Sequence, residues 1–133
     1  MKAVILDIGN VLVHYDHQRT LAAVAEGAGS TTQELRGITA TLGAGLSIGA
    51  YNARQLYDTI VEETGAQFDF GDFSTRFCAG ITRDDAALAY AIDLQNRPET
   101  TVVAISNTND GHVRWLDEHL PELKEFDLVI MSN

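Results

Sequence analysis

Three short apolar runs punctuate the chain: residues 3–6 (Ala-Val-Ile-Leu), 101–105 (Thr-Val-Val-Ala-Ile) and 127–131 (Asp-Leu-Val-Ile-Met). Each contains β-branched side chains and gives way abruptly to polar residues, which predicts β-strands. The first has no alternating polar face, so it is expected to be buried on both sides, as strands of parallel sheets are. Elsewhere the apolar positions recur at helical spacing. Residues 18–28 place Leu21, Val24, Ala25 and Ala28 on one face, and residues 32–42 repeat the pattern behind Thr31 or Thr32 as N-cap. Residues 52–64 bring Leu56, Ile60 and Val61 together, with Gly65 as a stop. A shorter helix is expected within 68–81, opened by Asp72 or Ser74. Asp84 and Asp85 cap a helix through Leu88, Ala91, Ile92 and Leu94 that ends before Pro98. Another covers 110–119, where Pro121 ends or restarts it.

The order is strand, helical insertion, helix, strand, helix, strand. It predicts an α/β fold: a Rossmann-like parallel sheet of about three strands in this chain, with right-handed crossovers and a small helical cap inserted after the first strand. The expected division is a discontinuous core of residues 1–15 and 86–133 and a cap of residues 16–85.

At 133 residues and 45% apolar content, the chain suffices for one core and a small insertion. The formal net charge of −10 argues against nucleic acid and membrane surfaces as partners. An anionic substrate must then be held by local donors or a metal ion. Cys78 is the single cysteine, which excludes a disulfide framework or a zinc cluster, and its apolar surroundings predict a small buried hydrophobe. The N-terminal apolar run, cut by Asp7, is too short for a signal peptide or a membrane span, so a cytoplasmic location is expected.

Candidate chemistry lies where the strands end. Ligands of open parallel sheets gather at the carboxyl ends of the strands. There the first run meets Asp7, Gly9 and Asn10, and the second meets Ser106 and Asn107. An aspartate beside a buried strand is costly without a partner, and it can serve as nucleophile or metal ligand. Gly9 permits close backbone approach, the amides around Gly9 and Asn10 can cradle an oxyanion, and Ser106 and Asn107 can orient phosphate oxygens. Each group taken singly also reads as an ordinary turn residue; the joint placement after two strands is what points to a phosphate-handling site.

Leu6-Asp7-Ile8-Gly9-Asn10-Val11-Leu12-Val13 resembles the first motif of the haloacid dehalogenase-like (HAD) hydrolases, and Ala104-Ile105-Ser106-Asn107-Thr108-Asn109 is similar to their second. The branch most resembled includes glucose-1-phosphate phosphatases and the phosphatase-like domains of epoxide hydrolases. The resemblance covers the whole chain. It implies a phosphatase of small phosphorylated metabolites in which Asp7 attacks phosphorus to give an aspartyl-phosphate. Asp7 and the Gly9 carbonyl would hold Mg²⁺, while Ser106, Asn107 and the Asn10 amide would bind the phosphoryl group.

Two departures accompany it. Gly9 stands where most of these phosphatases carry a second, proton-transferring aspartate. The lysine and acidic pair that the family places beyond its third strand have no counterpart, since the only lysines are Lys2 and Lys124 and the sequence ends at Asn133. Asp127 begins the third strand, at the wrong end of the sheet, and Asp16 and Asp110, nearer the site, each read as a helix cap or a cap-linker residue. In the family's strand order, residues 3–6 then form a bare edge, and the expectation is either a part of a longer protein or a homodimer or segment swap through that edge. Alternatives to an active phosphatase are a non-catalytic remnant binding phosphate or a partner, and a dehalogenase whose aspartate attacks carbon.

Other residues read two ways. His14 and His17 are open to substrate contact or to a surface role. His112 and His119 are too far apart to share a metal, and Trp115 reads as packing. Arg19, Arg54 and Arg83 could meet a substrate anion or line solvated helix faces, and Tyr51, Tyr57, Phe68 and Phe70 are expected to fill the cap interior.

Overall fold

The structure, a computed structural model, describes residues 1–132, save the side chains at positions 43, 44 and 47; Asn133 lies outside the described residues. In chain order the elements are β1 (Lys2–Asp7), β2 (Val13–Tyr15), α1 (His17–Ala28), α2 (Thr32–Ser47), α3 (Ala53–Thr64), α4 (Phe70–Phe77), β3 (Ile81–Arg83), α5 (Asp85–Gln95), β4 (Thr100–Asn107), α6 (Asp110–His119), a 3₁₀ turn (Pro121–Glu125) and β5 (Leu128–Ser132). The three apolar runs form a parallel sheet in the order β1-β4-β5, with Asp7 opposite Ile105 and Ile105 opposite Ile130. It is a Rossmann-like α/β arrangement with helices inserted between β1 and β4. At the amino end, Asp127 accepts a hydrogen bond from the Val102 N–H at 3.0 Å, so its carboxylate stitches the sheet together away from the opposite edge.

One expectation for β1 fails. Val4 and Leu6 pack against the core, but Ile5 is 65% exposed, so the strand is not buried on both faces. Ile105, Leu128 and Ile130 share that open side. The reason is that α5, α6 and the 3₁₀ turn supply Leu88, Ala91, Leu116, Leu120 and Leu123 to one cluster with Val102 and Ala104, on the other face. Local sequence encodes apolarity at these positions but not whether a partner layer is present.

Most helix boundaries follow their caps. Asp16 caps α1 by accepting from the Arg19 N–H, Thr31 caps α2, and Asn52 and Gln55 cap α3 reciprocally. Gly29 (φ 64°) and Gly65 (φ 69°) end α1 and α3 in the left-handed region that glycine enters without strain. α2 runs on past residue 42 to Ser47. For α4 the opening residue is Asp69 rather than Asp72 or Ser74: the Asp72 N–H donates to Asp69 Oδ1 at 2.7 Å, and Asp72 itself pairs with Arg76 inside the first turns.

These four helices enclose a second cluster around Phe73, which is fully buried with Leu35, Leu56 and Ile60. The short β2–β3 ribbon, absent from the expectations, pairs Val13 with Arg83 and Tyr15 with Ile81 where the chain leaves and re-enters the sheet layer. Cys78 and Ile81 pack in the sheet's cluster. Cys78 is buried as expected, its thiol 3.4 Å from the Gly111 carbonyl, and burial pushes its pKa up to about 11.

Gly80 closes the ribbon. Its carbonyl accepts from the Asp16 N–H at 2.9 Å, and its N–H donates to buried Thr20 Oγ1 at 3.0 Å. A Cβ there would press into the Asp16 carbonyl oxygen and Thr20 Oγ1. Gly80→Ala is therefore expected to cost about 1–3 kcal/mol, because backbone must move to admit the methyl group. Denaturant midpoints check this; an unchanged midpoint would contradict the close approach.

Candidate active site

The chain turns sharply on leaving β1. The Ile8 carbonyl accepts from the N–H groups of Val11, Leu12 and Val13 at 3.2, 2.9 and 3.1 Å. Asn10 sits at φ 58°, where asparagine is among the better tolerated residues, and its Oδ1 accepts from the Tyr15 N–H at 3.0 Å. The side-chain oxygen of Asn10 thus helps to hold the turn. At Gly9 a Cβ would meet nothing within 4 Å, so this position borders open space.

That space is a cavity of 720 Å³ at the carboxyl edge of the sheet. Its walls include the residues that the strand ends and their turns brought forward from the sequence: Asp7, Gly9, Asn10, Ser106 and Asn107. The register explains how. Asp7 pairs with Ile105, so Ser106 lies one residue beyond it with its side chain on the alternate, helix-covered face, where it is buried; the cavity wraps around the strand ends and reaches both. The loop after β4 is drawn toward β5 by the Thr108 N–H donating to the Ser132 carbonyl at 2.9 Å.

His112 forms the floor between the two clusters. Asn109 caps α6, its Oδ1 accepting from the His112 N–H at 3.0 Å while its Nδ2 lies 3.2 Å from His112 Nδ1. His112 Nε2 lies 3.2 Å from the Phe77 carbonyl, and the ring stacks on Phe77 at 4.6 Å and meets Tyr15 edge-on at 5.2 Å. A carbonyl only accepts, so Nε2 carries the proton and Nδ1 accepts from the Asn109 amide. Burial lowers the His112 pKa below its usual 6.5, against a smaller opposing effect of the Phe77 carbonyl. With Nε2 donating to the Phe77 carbonyl and Nδ1 accepting from the Asn109 amide, His112 joins α6 to α4 and its ring proton is engaged in that contact.

The stabilisation from neutral His112 is complete above about pH 6.5 and is lost as pH falls through its lowered value. Between pH 8 and pH 5 the wild type should therefore lose more Tm than His112→Gln. Parallel Tm–pH curves would exclude this coupling.

Several residues weighed in the sequence are committed elsewhere. Arg83 grips Glu122 through two bonds of 2.6 and 3.0 Å, and also Asp85 and the His119 carbonyl, which locks β3 to the 3₁₀ turn. Arg83 holds the Glu122 carboxyl below the usual carboxylate range. Arg54 pairs with Asp58, and His14 with Asp84 at 3.0 Å. Asp110 is the first residue of α6 rather than its cap, which is Asn109, and it accepts from the Ala53 N–H at 2.9 Å, tying α6 to α3. Trp115 stacks on His119, and Tyr57, Phe68 and Phe70 pack around Phe73 as expected. Tyr51 is 41% exposed and does not fill that interior.

His17 lines the cavity, and so do Thr108 and Asn109 of the second motif, together with Tyr15, Arg36 and Thr39, to which the sequence assigned no role. Asn109 closes the second motif and His112 lies three residues beyond it, so their nearness to the site could be read from the sequence. Arg36 carried no signal, being one arginine on an amphipathic helix.

Whether these residues suit Mg²⁺ depends on the donor set. Among the described residues no group of three or more His, Cys, Asp or Glu side chains converges on one point. Asp7 and Gly9, the residues the resemblance assigns to Mg²⁺, both line the cavity, and one carboxylate with one carbonyl is a sparse set that leaves most positions of an octahedral ion to water and phosphate oxygens.

No family model matches the sequence, and no curated protein matches it. Solved structures do match. A HAD family enzyme from Bacteroides thetaiotaomicron shares 18% identity at a TM-score of 0.82, over 99% of this chain and 68% of its own. The wild-type form of that enzyme in complex with magnesium and inorganic phosphate gives 19% and 0.81, over 99% and 69%. A protein from Porphyromonas gingivalis, named as a HAD-like family hydrolase, gives 17% and 0.73, over 99% and 66%. This chain has the fold of the HAD-like hydrolases.

Proposed function

We propose that the site hydrolyses phosphomonoesters of small metabolites through an aspartyl-phosphate on Asp7. The observation that supports this reading is the presence of Asp7 and Ser106, from adjacent parallel strands, on the walls of one cavity at the carboxyl edge of the sheet. That a structural neighbour binds magnesium and inorganic phosphate agrees with it.

In this reading Ser106, Asn107 and the backbone amides beside Gly9 and Asn10 hold the phosphoryl oxygens. Asp7 attacks phosphorus in line as the ester P–O bond breaks, and water then cleaves the acyl phosphate to release inorganic phosphate and restore the carboxylate. Mg²⁺ held by Asp7 and the Gly9 carbonyl would neutralise phosphate charge. Gly9 has no carboxyl to protonate the leaving group, and neutral His112 is engaged at both nitrogens, so the departing oxygen takes its proton from water. Esters with acidic leaving groups, aryl phosphates above all, are therefore the best substrates.

Phosphate release from an aryl phosphate with and without Mg²⁺ tests the proposal. Release that requires Mg²⁺ supports it. A second reading, phosphate binding without turnover, is favoured by the single carboxylate in the donor set. Saturable phosphate binding by a folded chain that releases nothing would decide for that reading instead.

A further inference from the structure

We infer that Arg36 receives a second anionic group of the substrate, so that the site prefers phosphomonoesters carrying a carboxylate or another phosphate at a distance from the reacting one. This inference rests on the proposed phosphate site and adds the class of molecule it takes. Two independent observations carry it.

The first concerns charge within the cavity. Of its lining residues, Asp7 is the one carboxylate and Arg36 the one arginine or lysine, among the described residues. Asp7 belongs to the sheet edge, whereas Arg36 comes from α2, on the helical side. A volume of 720 Å³ accommodates a small metabolite rather than a lone phosphate. A ligand whose phosphate sits at the strand ends therefore extends toward helices whose one arginine on the cavity wall, among the described residues, is Arg36.

The second concerns how the other arginines are used. In a chain of net charge −10, Arg54, Arg76, Arg83, Arg97 and Arg114 each pair with a carboxylate. Arg36 has no carboxylate partner among the described residues. Its Nη2 donates instead to the neutral Gln18 Oε1 at 3.1 Å, which steers the fork without neutralising it. A guanidinium suits a carboxylate or phosphate because its planar N–H groups match two oxygens at once. Arg19, the other arginine without an acidic partner, does not line the cavity and so serves as a control.

The test measures binding, so that turnover is not needed. Titration calorimetry compares propylphosphonate with 3-phosphonopropionate, 4-phosphonobutyrate and propane-1,3-diyl bisphosphonate, all resistant to hydrolysis. In the wild type at least one two-anion ligand should bind about tenfold or more tightly than propylphosphonate, as a charge-assisted pair would give. Arg36→Gln should erase that preference and leave propylphosphonate affinity unchanged, while Arg19→Gln should keep both. The relative gain of the carboxylate and bisphosphonate arms identifies the second group.

Preference surviving in Arg36→Gln, or falling equally in Arg19→Gln, would overturn the role of Arg36 while the phosphate site stands. No binding of any phosphonate by the folded wild type would remove the phosphate site itself, and this inference with it.

Discussion

Asp7→Asn is expected to lower phosphate release from an aryl phosphate by about 10³-fold or more, the largest effect of any single change in this chain. Asparagine keeps the shape of the side chain and lacks the nucleophilic charge. Asp7 is exposed at the end of β1, with its carboxylate in the cavity rather than in a structural network, so the variant should fold with the Tm of the wild type. Rate and stability are thereby separated. Ser106→Ala, by contrast, should act mainly on affinity for the phosphoryl group, because Ser106 lies on the wall beside Asp7 without bearing charge. Equal release rates from wild type and Asp7→Asn would take Asp7 out of the mechanism, whatever Mg²⁺ does.

Phe73→Ala is expected to cost about 3–5 kcal/mol, the largest effect on stability. Phe73 has no exposed surface, and its ring lies 5.6 Å from Tyr57, 6.0 Å from Phe68 and Phe70, and 5.3 Å from Phe77. Truncation removes the centre of this aromatic group and leaves a void that stacked rings cannot easily close. The loss is a large part of the roughly 5–15 kcal/mol typical of a whole domain. Because Phe77 stacks in turn on His112, the helical wall of the cavity should loosen as well. Guanidinium unfolding measures the cost, and a loss under about 1 kcal/mol would mean that the cluster repacks.

The two effects belong to different parts of the molecule. Asp7 stands on the strand end that the sheet positions, and Phe73 in the helical cluster that closes over it. His112 and Phe77 are where the two meet, so acid that protonates His112 and truncation at Phe73 should both disturb the same seam.

Much of this was legible in residue order. The strands at β1, β4 and β5, the helical insertion, the caps Asp16, Thr31 and Asp84, and the stop at Gly65 all follow from local chemistry acting within a few residues. The candidate chemistry was legible for the same reason, since Asp7-Ile8-Gly9-Asn10 and Ser106-Asn107 are contiguous and sit at predicted strand ends. What depends on distant partners was not. The β2–β3 ribbon joins segments of three residues from far apart in the chain, too short to carry a periodic signal. The exposure of Ile5, the presence of Arg36 on the cavity wall and the neutral state of His112 are settled by which surfaces meet. Local sequence sets backbone preference and apolarity over single turns and strands, whereas burial, charge pairing and cavity shape arise only once remote segments pack together.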